Sequence, residues 1–120
     1  MEERGKKFDK NCIFCKIATG ELPSQRVLEN KKFLAFRDIN PIAPIHILII
    51  PKEHYSKFDE TPPELIGEMA QFIRQVAREL GITDYRLITN NGKGSGQEVF
   101  HLHFHLLSNP GGKLKWPKVV

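Results

Sequence analysis

Residues 101–105 read His-Leu-His-Phe-His, and imidazoles at every second position constrain this chain more tightly than any other run in it. An extended strand alternates its side chains between two faces. His101, His103 and His105 therefore share one face, while Leu102, Phe104 and Leu106 share the other. On a helix the same three rings would diverge. The run predicts a strand with one apolar side for a core and one imidazole side for chemistry.

Around that strand, apolar runs alternate with turn signals. Residues 1–10 are polar and read as a flexible N-terminal tail. Asn11 is placed to cap a short helix over Cys12–Ala18, closed by Gly20. Residues 26–28 and 33–37 flank Asn30-Lys31-Lys32 and predict a hairpin. The two prolines of Asn40-Pro-Ile-Ala-Pro44 require a loop. Ile45–Ile50 reads as a strand buried on both faces and ended by Pro51, with His46 its single polar side chain. Thr61-Pro-Pro-Glu64 reads as an N-cap and capping box. Behind it, the three- and four-residue spacing of Leu65, Ile66, Met69, Phe72, Ile73, Val76, Ala77 and Leu80 predicts an amphipathic helix over Pro62–Leu80, ended by Gly81. Tyr85–Thr89 reads as a further strand. The glycine-rich loop Asn90–Gly96 lacks the Lys-Ser/Thr pair and the following helix of a P-loop, and reads as a hairpin connection into the histidine strand. Residues 109–120, with Trp116, form a C-terminal tail. The expectation is one α+β domain over residues 1–120: an antiparallel sheet, one long helix and a short N-terminal helix.

Composition narrows the partners. A net charge of +4 modestly favours anionic ligands, but much of the excess lies in Lys6, Lys7 and Lys10 and in Lys113, Lys115 and Lys118, near the two ends. Aromatic residues do not interleave with basic ones as a nucleic-acid groove would require, so no nucleic acid is expected. The longest aliphatic run is Ile47–Ile50, and neither export nor membrane spanning is supported. The two cysteines, Cys12 and Cys15, argue for a reducing compartment, hence the cytoplasm. Their i, i+3 spacing suits a metal ion. A redox pair and plain buried thiols remain the alternatives.

The imidazole row carries its own chemistry. Neighbouring Cα atoms along it lie roughly 6.5–7 Å apart. Two such rings can reach one zinc ion, but three on a straight strand do not converge on it. A division of labour follows, with an outer histidine given to structure or metal and the inner two facing a substrate. Neutral imidazole attacks phosphorus without first losing a proton, and a protonated neighbour can hold a phosphate oxygen or protonate a leaving group. The arrangement suits covalent phosphoryl or nucleotidyl transfer.

Gln97-Glu-Val-Phe-His-Leu-His-Phe-His-Leu-Leu107 resembles the signature of the histidine triad (HIT) family. So, in order and spacing, do Cys12-Ile-Phe-Cys-Lys-Ile17, Leu34-Ala-Phe-Arg-Asp-Ile-Asn-Pro41, Pro44-Ile-His-Ile-Leu-Ile-Ile-Pro-Lys-Glu-His54 and Tyr85-Arg-Leu-Ile-Thr-Asn-Asn-Gly92. The tail with Trp116-Pro117 resembles the Hint branch. The resemblance implies a HIT-like fold, a homodimer formed through the long helix and an edge strand, and cleavage at the α-phosphate of purine nucleotide derivatives. It implies that His103 attacks phosphorus, that His105 holds the phosphate oxygens or helps proton transfer, and that Asn90 and His46 support them. Asp38 would bind the ribose hydroxyls. Ile13, Phe14, Ile17, Phe36, Ile39 and Leu48 would form the slot for the base, with Gln97 and Glu98 completing the nucleotide site. Glu98 departs from the eukaryotic Hint pattern, which has serine there. By the same resemblance Cys12, Cys15, His54 and His101 would hold a structural zinc ion, and the chemistry itself would need no cofactor. Hydrolysis of dinucleoside polyphosphates, or nucleotide binding with vestigial turnover, are the rival functions.

Overall fold

A computed structural model of the chain describes residues 7–114. Helix α1 (Ile13–Thr19) precedes the hairpin strands β1 (Arg26–Glu29) and β2 (Phe33–Arg37), then β3 (Ile45–Pro51), helix α2 (Pro63–Leu80), β4 (Arg86–Ile88) and β5 (Phe104–Ser108). The five strands form one antiparallel sheet in the order β1-β2-β3-β5-β4. The α+β class read from the sequence is the class found.

Alternation along the central strands divides the interior in two. Ile47 and Ile49 of β3, with Phe33, Ala35, Leu102 and Leu106, face Met69, Phe72, Ile73, Val76 and Ala77 of α2. Leu48 and Ile50, with Leu34 and Phe36, face Phe14, Cys15 and Ile17 of α1. A strand covered on both sides needs an unbroken aliphatic run, and Ile45–Ile50 supplies it. His46, Leu48, His105 and Leu107 all point to the α1 side, because Leu48 pairs with His105 and His46 with Leu107 in register. The functional face is therefore the face away from the long helix.

Local signals mostly act as read. Gly81 closes α2 in the left-handed conformation (φ 69°), its N–H reaching the Ala77 and Arg78 carbonyls. Three readings need correction. Thr61 does not cap α2: its hydroxyl donates to the Lys57 carbonyl at 2.9 Å, and the helix starts behind Pro62, which makes no side-chain cap. Pro62 must stay extended (ψ 136°) ahead of Pro63, which moves the start out of reach of Thr61. Helix α1 is capped by Cys12, whose Sγ accepts the Cys15 N–H at 3.3 Å, so Asn11 is not the cap. The regular ladder of β5 begins at Phe104, so His101 and His103 precede it. Their segment is bonded elsewhere: the Leu102 N–H donates to Tyr55 O at 2.6 Å, and Thr89 Oγ1 to His103 O at 2.7 Å. The alternation of faces survives, with Leu102 in the α2-side core. No helix among the described residues is long and apolar enough to cross a membrane. The expected tails lie partly, and Trp116 wholly, outside the described residues.

Candidate active site and metal centre

A cleft of about 290 Å³ opens on the α1 side of the sheet. Helix α1 contributes Ile13, Phe14 and Ile17, strand β2 and its exit contribute Phe36, Asp38 and Ile39, and β3 contributes Leu48. Asn90 and Glu98 come from the long connection before β5, and His103 and His105 stand on the wall. Eleven of the residues read from the sequence as catalytic or nucleotide-binding thus meet around one cavity. Two do not reach it. Gln97 is buried and its amide is fully engaged: Oε1 accepts the Gly92 N–H at 2.8 Å, while Nε2 donates to the Ser56 and Val99 carbonyls. It braces the glycine-rich connection from behind. His46 also lies behind the wall, backing His105 with Nε2 2.9 Å from His105 Nδ1.

The orientation of His103 follows from its hydrogen bond. Its Nδ1 lies 2.8 Å from the His101 carbonyl, which can only accept, so Nδ1 carries the proton and Nε2 keeps a lone pair. The edge of Phe14 packs against the ring at 5.0 Å and 86°. His105 stands beside it, centroid to centroid at 5.0 Å. Burial lowers the affinity of His103 for a proton, against the pull of the His101 carbonyl. His105 is pushed down to about 4, by burial first and then by its neighbours His103 and His46. His46 is lowered by burial, opposed by Asp38. Burial thus favours the neutral form of all three rings.

Those depressed values carry a pH signature. Below the ordinary value of 6.5, the unfolded chain takes up protons that the buried His46, His103 and His105 refuse. Unfolding free energy is therefore expected to hold steady above about pH 6.5 and to fall as pH drops toward 4, by up to about 1.4 kcal/mol per pH unit for each histidine involved. Urea midpoints across that range test it, and a flat profile would contradict the burial of the row.

Asp38 stands beside His46 and His105, one ligating atom from each of the three lying within 4.8 Å of the others. Its Oδ1 accepts the Asn40 N–H at 2.8 Å, and its Oδ2 lies 3.3 Å from His46 Nε2. Pro23, Ser24, Arg37, Asn40 and Val99 line the cleft but escaped the sequence reading. Arg37 is the one cation among the described lining residues, and Ser24 is the one hydroxyl. No local signal marks either, since their positions depend on how the hairpin meets α1. Among the described residues, no hydrogen-bond partner meets the buried Ser24 Oγ. Ser24→Ala is accordingly expected to raise the unfolding free energy by about 1 kcal/mol, because an unsatisfied buried hydroxyl destabilises the fold. A lowered urea midpoint would show that the hydroxyl has a partner.

Next to the cleft, four donors converge. Cys12 Sγ lies 3.3 Å from His101 Nδ1, and Cys15 Sγ lies 3.6 Å from the same atom and 3.4 Å from His54 Nδ1. The two imidazole nitrogens are 3.2 Å apart. Tetrahedral bonds of about 2.3 Å to sulfur and 2.0 Å to nitrogen give S···N edges of about 3.5 Å and N···N edges of about 3.3 Å. The quartet fits a zinc-type ion. Outer contacts agree with this: His101 Nε2–H donates to Pro51 O at 2.8 Å, which leaves Nδ1 as the ligand, and the Asp9 N–H donates to Cys15 Sγ at 3.4 Å. Burial pushes the Cys15 thiol up to about 11, and His101 down to about 4. Both thiols are free, with no disulfide between them.

The chain is similar in sequence and fold to proteins of one family. The HIT domain family model matches residues 19–111. The chain is 47% identical over 104 residues to protein HitA of Neisseria gonorrhoeae (83% of this chain, 97% of that protein). It is 40% identical over 114 residues to the adenosine 5'-monophosphoramidase of Saccharomyces cerevisiae (92% and 72%) and 44% identical over 115 residues to a 14 kDa zinc-binding protein of Zea mays (91% and 88%). Among solved structures, a HIT family hydrolase from Legionella pneumophila superposes with a TM-score of 0.81 at 45% identity, covering 89% of this chain and 98% of that one. A zinc-bound histidine triad family protein from Mycobacterium smegmatis superposes with a TM-score of 0.78 at 37% identity, covering 88% and 81%.

Proposed function

This chain belongs to the HIT-domain family, and from that premise we propose that it hydrolyses purine nucleotide derivatives of the phosphoramidate or nucleotidyl-ester type through a covalent nucleotidyl-His103 intermediate. The observation that carries the reading is His103 itself, a neutral ring on the cleft wall whose Nδ1–H is held by the His101 carbonyl, leaving Nε2 as a lone pair. In the first step the Nε2–phosphorus bond forms as the bond from phosphorus to the leaving group breaks, and the departing amine or alcohol takes up a proton from solvent. Water then attacks the same phosphorus, giving its proton back to solvent, the Nε2–phosphorus bond breaks, and nucleoside monophosphate leaves. His105 holds the non-bridging oxygens, and Asn90 lines the same cleft. The Asp38 carboxylate suits the ribose diol, and the apolar end formed by Ile13, Phe14, Ile17 and Leu48 suits the base. The phosphoramidase activity named for the yeast relative favours an amine leaving group over a polyphosphate one.

The Cys12, Cys15, His54 and His101 quartet holds zinc in this reading. When bound, zinc supplies charge that stabilises two thiolates, and it ties α1 to the segment ahead of β5. Two thiols kept reduced as ligands suit the cytoplasm. Among the described residues, edge strand β4 pairs with β5 alone and leaves Leu87 exposed, which supports a homodimer in which the sheet continues across two copies.

Acid-quenched enzyme, sampled during turnover of adenosine phosphoramidate and analysed by mass spectrometry, is expected to carry one nucleoside monophosphate on the peptide containing His103. Rapid turnover with the adduct on another residue would overturn the assignment. Faster release from a dinucleoside polyphosphate than from the phosphoramidate would overturn the substrate class.

A further inference from the structure

His105 must do something different from His103 although the two rings are neighbours, and the hydrogen bonds behind the wall specify what. The loop between β2 and β3 contains Pro41 and Pro44, neither of which has an N–H to give. The Ile42 N–H between them points inward and donates to His46 Nδ1 at 3.2 Å. An amide N–H cannot accept, so Nδ1 of His46 is a lone pair and the neutral ring carries its proton on Nε2. That nitrogen lies 2.9 Å from His105 Nδ1 and 3.3 Å from Asp38 Oδ2. Whichever of the two receives the proton, His105 Nδ1 cannot carry one of its own so close to it.

We infer that the backbone N–H of Ile42, acting through His46, fixes the tautomer of His105 so that its Nε2 carries a proton on the cleft side. Two adjacent imidazoles are thereby given opposite polarity by two different backbone groups. The His101 carbonyl makes His103 present a lone pair, and the Ile42 amide makes His105 present an N–H donor. The pair is set for nucleophile and oxyanion holder without either ring being charged. Ile42 and His46 are positioning residues here, since neither lines the cleft. Their use in turnover rests on the nucleotidyl-transfer reading. The tautomers themselves do not.

Long-range ¹H–¹⁵N correlation spectra of the imidazoles, recorded on the protein as purified at neutral pH without nucleotide, read each tautomer directly. His46 and His105 are expected as Nε2–H and His103 as Nδ1–H. A proton on Nδ1 of His105 would overturn the inference. Ile42→Pro deletes the donor. The folded variant is expected to show mixed tautomers at His46 and His105, with kcat lower by about tenfold and KM little changed, the scale of one lost neutral hydrogen bond. Unaltered tautomers in folded Ile42→Pro would also overturn it. Replacement of His46 gives a second route: glutamine can still donate to His105 Nδ1 and is expected to keep the Nε2–H form, whereas leucine is expected to lose it. Identical His105 spectra in the two would contradict the relay. Expected tautomers in a protein that turns over no nucleotide would instead overturn the proposed function alone.

Discussion

His103→Ala is expected to abolish nucleotide hydrolysis, lowering kcat by at least about a thousandfold while nucleotide affinity changes only a few-fold. The asymmetry follows from where the ring stands. The contacts that suit base and ribose come from α1, β2 and β3, through Phe14, Ile17, Asp38 and Leu48, and the substitution touches none of these except the Phe14 edge contact. What disappears is the Nε2 lone pair, and His105 cannot take over, because its nitrogen toward the cleft is a donor under the hydrogen-bond scheme described above. Water would then have to displace the leaving group directly. Single-turnover kinetics and a binding titration on the same preparation check the result, with a thermal melt confirming the fold. Turnover within a few-fold of wild type would remove His103 from the reaction and leave the cleft as a binding site.

Much of the scaffold was legible because its signals are local and periodic. The stripe from Met69 to Ala77 has one interpretation at helical spacing, and an aliphatic run such as Ile45–Ile50 has few uses other than a strand covered on both faces. The histidine row announced its own division of labour, since rings at alternate positions share a face yet cannot converge on one ion. Other features were decided by competition between partners that spacing does not show. Thr61 had a capping pattern behind it, but the paired prolines moved the helix start and the Lys57 carbonyl took the hydroxyl. Gln97 sits beside cleft residues in sequence, yet three backbone groups consume its amide. Arg37 and Ser24 were invisible because only the packing of the hairpin against α1 brings them to the cleft. The metal quartet joins side chains 86 and 89 residues apart, and local pattern alone could give no more than the cysteine pair.

Removing the metal is expected to destabilise the protein by at least about 4 kcal/mol, the linkage for a ligand present a thousandfold above its dissociation constant. For about a hundred ordered residues, that is a fall in Tm on the order of 20 °C. The four donors come from α1 and its cap, from the turn after β3 and from the segment ahead of β5, so a bound ion would tie three separate parts of the chain together. Without a cation, two thiols and two imidazoles remain buried against one another, with only hydrogen bonds such as Cys12 Sγ to His101 Nδ1 to satisfy them. Cys15→Ser should reproduce the loss, and added zinc should fail to reverse it. Proton release gives an independent readout. The Cys15 thiol, pushed up to about 11, must lose its proton to bind, so metal affinity should fall by about tenfold for each unit the pH drops and for each proton displaced. Because the His101 carbonyl holds His103, some slowing of turnover should accompany metal loss, but only in step with loss of structure. If the chelated protein melts at the same temperature as the zinc-loaded one, the quartet is a pair of buried thiols beside two histidines and holds no structural ion.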